Sequence, residues 1–147
     1  CVNFGAPISA RGWLTAHASA TAGDLRSLDK EQRFEIVGRL ARDVMGEIAR
    51  LVPVLPVSLI TTVLLDAEGP LDELELKTRV AALMADLEIR GAKLYVPRGD
   101  RDYAFHVGLR MLVLRRLADE SDTGLFSAAA AERPLLAYYA NAVAHLR

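Results

Sequence analysis

Between Arg50 and Asp66 the chain carries no charged residue; Leu51 to Leu65 reads Leu-Val-Pro-Val-Leu-Pro-Val-Ser-Leu-Ile-Thr-Thr-Val-Leu-Leu. Pro53 can end a preceding helix, and Pro56 can sit in the first turn of the next, where the N–H that proline lacks has no partner anyway. Val57 to Leu65 then forms a helix apolar on every side, and such a helix must be buried. The run is shorter than the roughly 18 residues that suggest a membrane span, and two prolines interrupt it. This segment therefore predicts a helix packed inside a mainly α fold.

The flanking sequence supplies the partners. Asp29 precedes a helix in which Phe34, Val37, Ala41, Val44, Ile48 and Leu51 recur at three-four spacing and make one apolar face. Gly69-Pro70 breaks the chain, Asp72 can cap, and Leu76, Val80, Leu83, Met84 and Leu87 form the stripe of another helix that Gly91 can stop. Leu94 to Val96 is too short to assign. A further helix over about Asp102–Ala118 carries Phe105, Leu109, Leu112, Val113 and Leu117, Gly124-Leu125-Phe126 suits a hairpin arm, and Glu132 and Pro134 open the last helix. Ahead of these, Val2–Phe4 reads as one strand closed by Gly5 and Pro7, and Ser9 can cap a short helix through Leu14. The expected organisation is residues 1–15 as the terminal strand and turn of a preceding domain, 16–28 as a linker, and 29–147 as a helical domain. The fold class is a helical bundle with a short N-terminal strand and a small winged-helix-like β-hairpin around Asp119–Ser127.

Composition excludes several functions. Net charge is −1 over 147 residues, so no global attraction to nucleic acid or anionic lipid is present. The adjacent basic pair Arg115-Arg116 is followed by Asp119, Glu120 and Asp122 and reads as a solvated helix end. Aromatics are 6% and do not interleave with basic residues, against a single-strand nucleic-acid platform. A lone cysteine, Cys1, allows no internal disulfide and no cysteine-rich metal site, which points to a reducing compartment. The glycines form neither phosphate-loop pattern, Ser58 lacks a nucleophile-elbow context, and the carboxylates Asp72, Glu73 and Glu75 are explained by a helix start. No catalytic, cofactor-binding or metal-ligating residue is expected. His17 lies beside the linker, and His106 flanks an apolar stripe as a rim histidine.

The last helix is the sharpest candidate for chemistry. At about 100° per residue, Tyr138, Asn141 and His145 share one sector, while Leu135, Tyr139, Val143 and Leu146 share another. The polar trio can contact another domain, a substrate or a phosphate, or can dock the helix on its neighbours. No nucleophile or carboxylate at nearby helical spacing completes a catalytic set.

The two ends of the chain carry a resemblance. Val2-Asn3-Phe4-Gly5-Ala6-Pro7-Ile8 and Tyr138-Tyr139-Ala140-Asn141-Ala142-Val143-Ala144-His145-Leu146 resemble, respectively, the closing strand of the catalytic domain and a late helix in bacterial glycerol-3-phosphate O-acyltransferases. Ala6 stands where that family usually has Glu. The resemblance implies a parent enzyme that moves an acyl group from an acyl thioester, acyl-CoA or acyl-ACP, to the first hydroxyl of glycerol 3-phosphate, at the start of phospholipid synthesis. In that chemistry a His of an H-x-x-x-x-D motif removes the hydroxyl proton, and basic side chains hold the phosphate. Here the fifth residue after His17 is Ala22, after His106 it is Met111, and none follows His145. The resemblance thus implies a fragment: an inactive C-terminal accessory segment whose partner is the upstream catalytic domain, in the cytoplasm at the inner face of the cell membrane, with peripheral membrane association. It implies no cofactor and no nucleic acid. Two other readings stay open: a winged-helix DNA-binding domain, which the acidic segment Glu73–Arg90 disfavours as a recognition helix, and a helical interaction or oligomerisation domain.

Overall fold

The computed structural model describes residues 3–17 and 28–147. Most of the expected linker, and Val2 of the expected N-terminal strand, lie outside them. The chain forms two compact units, Cys1–Val52 and Pro53–Arg147.

In the first unit, Asn3 and Phe4 have no strand conformation, and among the unit's described residues there is no second strand to pair with them. Helix α1 spans Ala10–His17 and α2 spans Lys30–Leu51. Ser9 Oγ accepts from Gly12 N at 3.2 Å, and Asp29 and Gln32 form a reciprocal capping box at the start of α2. The arm before α1 lies along α2. Asn3 Nδ2 donates to the Leu51 carbonyl at 2.9 Å, and Trp13 Nε1 donates to Asp43 Oδ2 at 2.7 Å. A Cβ on Gly5 would stand 2.9 Å from Leu51 Cδ1, so the absence of a side chain permits this approach. The apolar stripe expected on α2 is present and largely bare, with no residue of the helix buried and Phe34, Val37 and Ile48 all exposed.

The second unit is built around α3, Pro56–Asp66, which buries every residue from Ser58 to Leu64. Pro56 starts it as expected. Around it pack α4 (Glu73–Ile89), α5 (Arg101–Leu114) and α6 (Arg133–Ala144). Asp72 Oδ1 accepts from Glu75 N at 2.8 Å and Asp100 Oδ1 from Tyr103 N at 3.0 Å, so both helices start on aspartate caps. The expected core stripes hold: Leu76, Val80, Met84 and Leu87 of α4, and Phe105, Leu109 and Leu112 of α5 with the following Leu117, are buried. Gly108, unremarked in the sequence, is a contact point, because a Cβ there would meet Ile60 Cδ1 at 2.8 Å and Pro56 Cβ at 3.1 Å.

Three short strands complete this unit: β1 (Leu71–Asp72), β2 (Ala118–Glu120) and β3 (Leu125–Ala128). They form an antiparallel sheet in the order β1-β3-β2, with Leu71 opposite Phe126 and Glu120 also opposite Phe126. β2 and β3 are the expected hairpin, and α3-β1-α4-α5-β2-β3 is the element order of a winged-helix module with the hairpin as wing. The unassigned stretch near Leu94 makes an isolated parallel bridge to Val54, through Val54 N to Lys93 O at 2.8 Å and Tyr95 N to Val54 O at 2.9 Å.

Candidate functional site

The candidate polar face lies on α6, and its position follows from how that helix docks. Pro134 occupies the first turn. Leu136 and Val143 are fully buried, and Tyr139 and Leu146 pack against the same core. Full burial of such side chains contributes roughly 1.5–3 kcal/mol each. Arg147, just past the helix, pairs with Asp66 at the end of α3. The buried stripe differs from the expected one at one position. Leu135, placed on the apolar face from spacing, is 42% exposed, and its neighbour Leu136 fills the core instead. Adjacent leucines give the helix two ways to orient that turn, and contact with α3 selects one.

That docking leaves Tyr138, Asn141 and His145 on the outer side, all exposed. Tyr138 is 72% exposed, with its ring edge-on to Tyr139 at 6.0 Å. The trio shares a face, as its spacing requires, and projects away from the core. Its chemistry is that of a hydrogen-bonding surface: a phenol, a carboxamide and an imidazole.

The other histidines have local partners. His17 stacks on Trp13 at 4.7 Å and 14°, with Nδ1 3.0 Å from the Trp13 carbonyl. His106 Nδ1 is 3.4 Å from Glu73 Oε1, on the surface of the second unit. Among the described residues no cluster of three or more His, Cys, Asp or Glu is arranged to hold a metal ion. Nor is any of their helices long and apolar enough to cross a membrane.

A second surface lies between α5 and the hairpin, where an open groove is lined by His106, Leu109, Arg110, Leu114, Glu120 and Phe126. Helix α5 packs against β2 of this hairpin. It carries Arg101 and Arg110 against Asp102 and leads into Arg115 and Arg116, while the wing carries Asp119, Glu120 and Asp122. Spacing along the chain does not bring Arg110 and Glu120 together; the hairpin's return past α5 places both at one groove.

Neither surface assembles a catalytic centre among the described residues. Searches among curated proteins and among solved structures give no match. The family model of the glycerol-3-phosphate acyltransferase C-terminal region matches residues 1–147. That match spans both units and includes the end motifs that carry the resemblance, so the chain belongs to the glycerol-3-phosphate acyltransferase C-terminal region family.

Proposed function

We propose that this chain is the accessory C-terminal segment of a glycerol-3-phosphate 1-O-acyltransferase, an enzyme of phospholipid synthesis, and that it is inactive by itself. In this reading residues 1–15 complete the preceding catalytic domain, and residues 29–147 dock on it. That domain supplies the proton-accepting His, its Asp and the phosphate-binding side chains, and takes glycerol 3-phosphate and an acyl thioester. The enzyme works in the cytoplasm, held peripherally at the inner face of the membrane. The supporting observation is the family match across residues 1–147, joined to a sequence in which no histidine begins an H-x-x-x-x-D motif.

The polar face of α6 is the contact to the catalytic domain. Its apolar side is occupied by the core, which turns the exposed face of Tyr138, Asn141 and His145 outward as the polar surface of this helix. The test is acyl transfer to glycerol 3-phosphate by the 147-residue chain and by the same chain joined to its natural upstream sequence. The joined protein turns over and the chain alone does not; turnover by the chain alone overturns the reading. In the joined protein, Asn141→Ala with His145→Ala lowers activity while leaving the isolated chain folded.

The winged-helix order favours a second reading, DNA binding. The hairpin opposes it, since Asp119, Glu120 and Asp122 would face phosphates. Titration with duplex DNA at physiological salt separates the two. A sequence-dependent Kd tighter than about 10⁻⁸ M would establish the DNA reading.

A further inference from the structure

Most charged side chains of the second unit that sit near an opposite charge are paired within the chain: Lys77 with Asp102, Arg79 with Glu75, Arg90 with Asp86, Arg101 with Glu88, Arg147 with Asp66. The end of α5 and the hairpin break this pattern. Arg110, Arg115 and Arg116 on one side, and Asp119, Glu120 and Asp122 on the other, make no side-chain hydrogen bond or ion pair among the described residues. Arg110 and Glu120 even line the same groove without meeting. Apolar side chains lie among them: Leu114 is 72% exposed and Met111 40%.

Two non-glycine residues among those described take a left-handed backbone, Arg98 at φ 59° and Arg116 at φ 58°, and Arg116 lies at this surface. α4 and α5 end in the same way. After α4, Gly91 N donates to Glu88 O and Ala92 N to Leu87 O; after α5, Arg116 N donates to Val113 O and Leu117 N to Leu112 O, each at 2.9 Å. This cap needs a left-handed residue, for which glycine is the unstrained choice. Gly91 takes it at φ 82°, whereas Arg116 takes it at φ 58°. The left-handed residue thus sits at the exposed turn that joins α5 to the hairpin, where glycine would be unstrained.

We propose that the surface formed by the end of α5 and the β2–β3 hairpin is an interface for a second copy of this chain, related by a two-fold axis. A uniformly acidic partner would be repelled by Asp119, Glu120 and Asp122, and a uniformly basic one by Arg110, Arg115 and Arg116. A two-fold contact instead sets the arginines of each copy against the carboxylates of the other, with Leu114 and Met111 at the centre. The surface therefore carries its own complement, as an isologous interface requires. The inference does not depend on the acyltransferase reading.

The test is sedimentation of the 147-residue chain over a wide concentration range, with charge-swapped variants. The chain forms a dimer that dissociates on dilution and weakens with added salt. R115E/R116E and D119R/E120R are each monomeric, because like charges then oppose across the axis, and an equal mixture of the two restores a 1:1 dimer. Leu114→Ser weakens the dimer without altering circular dichroism, which covers the case of a charge variant that fails to fold. Arg116→Gly raises the thermal midpoint of the monomer while weakening association. A chain that stays monomeric up to its solubility limit overturns the proposal. So does a dimer that the swaps leave unchanged, or folded swap variants that fail to associate on mixing.

Discussion

Helices α2 and α3 are both rich in apolar residues, yet they are held by opposite means. α2 has 22 residues, a complete capping box, and no buried residue. α3 has half that length, with 11 residues, no side-chain cap, and an unbroken buried stretch from Ser58 to Leu64. Local signals therefore specify α2, whereas tertiary contacts specify α3, whose ends carry little information of their own. A cap contributes about 1 kcal/mol, but each fully buried aliphatic side chain contributes roughly 1.5–3 kcal/mol. The second unit can dispense with capping at α3 because its neighbours supply more than a cap could.

The sharpest way to break this comparison is to empty the core around α3. Ile60→Ala and Leu136→Ala each remove a fully buried side chain, and each lowers unfolding free energy by about 2–5 kcal/mol in denaturant titration. Leu135→Ala, one residue away and exposed, changes it by no more than about 0.5 kcal/mol. Equal effects at 135 and 136 would mean that α6 is rotated from the orientation described.

Next comes the crossing of α5 over the start of α3. Gly108→Val adds branched volume where even a Cβ would sit within 3.1 Å of Pro56 Cβ and 3.3 Å of its carbonyl carbon. Overpacking there costs about 1–3 kcal/mol, read as a lower thermal midpoint.

A smaller effect of the opposite sign is expected inside α3. Thr61 Oγ1 is buried with no hydrogen-bond partner, although Thr62 Oγ1 bonds to the Ser58 carbonyl at 2.8 Å. Leaving such a group unsatisfied costs about 1–3 kcal/mol. Thr61→Val keeps the shape and removes the orphaned hydroxyl, so it raises the thermal midpoint by an amount equivalent to about 1 kcal/mol. A lowered midpoint would mean that the hydroxyl has a partner, such as a bound water.

The smallest change belongs to α2. Phe34 is 67% exposed, and Phe34→Ala alters the stability of the isolated chain by no more than about 0.5 kcal/mol, measured by the same titration. A loss on the scale of Ile60→Ala would show that something covers this face in solution, and the contrast between the two helices would narrow.

Much of this architecture is legible without coordinates, for a physical reason. Helix starts and stops depend on groups only a few residues apart. Asp29 and Asp72 accept from the N–H three residues on, and Gly91 takes the left-handed turn that ends α4; α5, expected over about Asp102–Ala118, instead starts on Asp100 and ends at Leu114. The stripe of α4 and the burial of α3 follow from periodicity and from a run without charge. The end motifs carry the family resemblance in the residues themselves.

Tertiary structure decides what depends on distant partners. Leu136 rather than Leu135 enters the core because α6 must present one side to α3, and two adjacent leucines cannot make that choice. Leu94 is bridged because Val54, far back in the chain, offers its backbone groups. Leu71 joins a sheet because Phe126 returns beside it. The polar trio of α6 was readable as a shared face, but its outward direction was settled by the packing of the opposite side. Arg110 and Glu120 line one groove only because β2 and β3 fold back past α5. Local hydrogen bonds are encoded locally, whereas which face is buried and which strands pair depends on surfaces that exist only once the chain has folded.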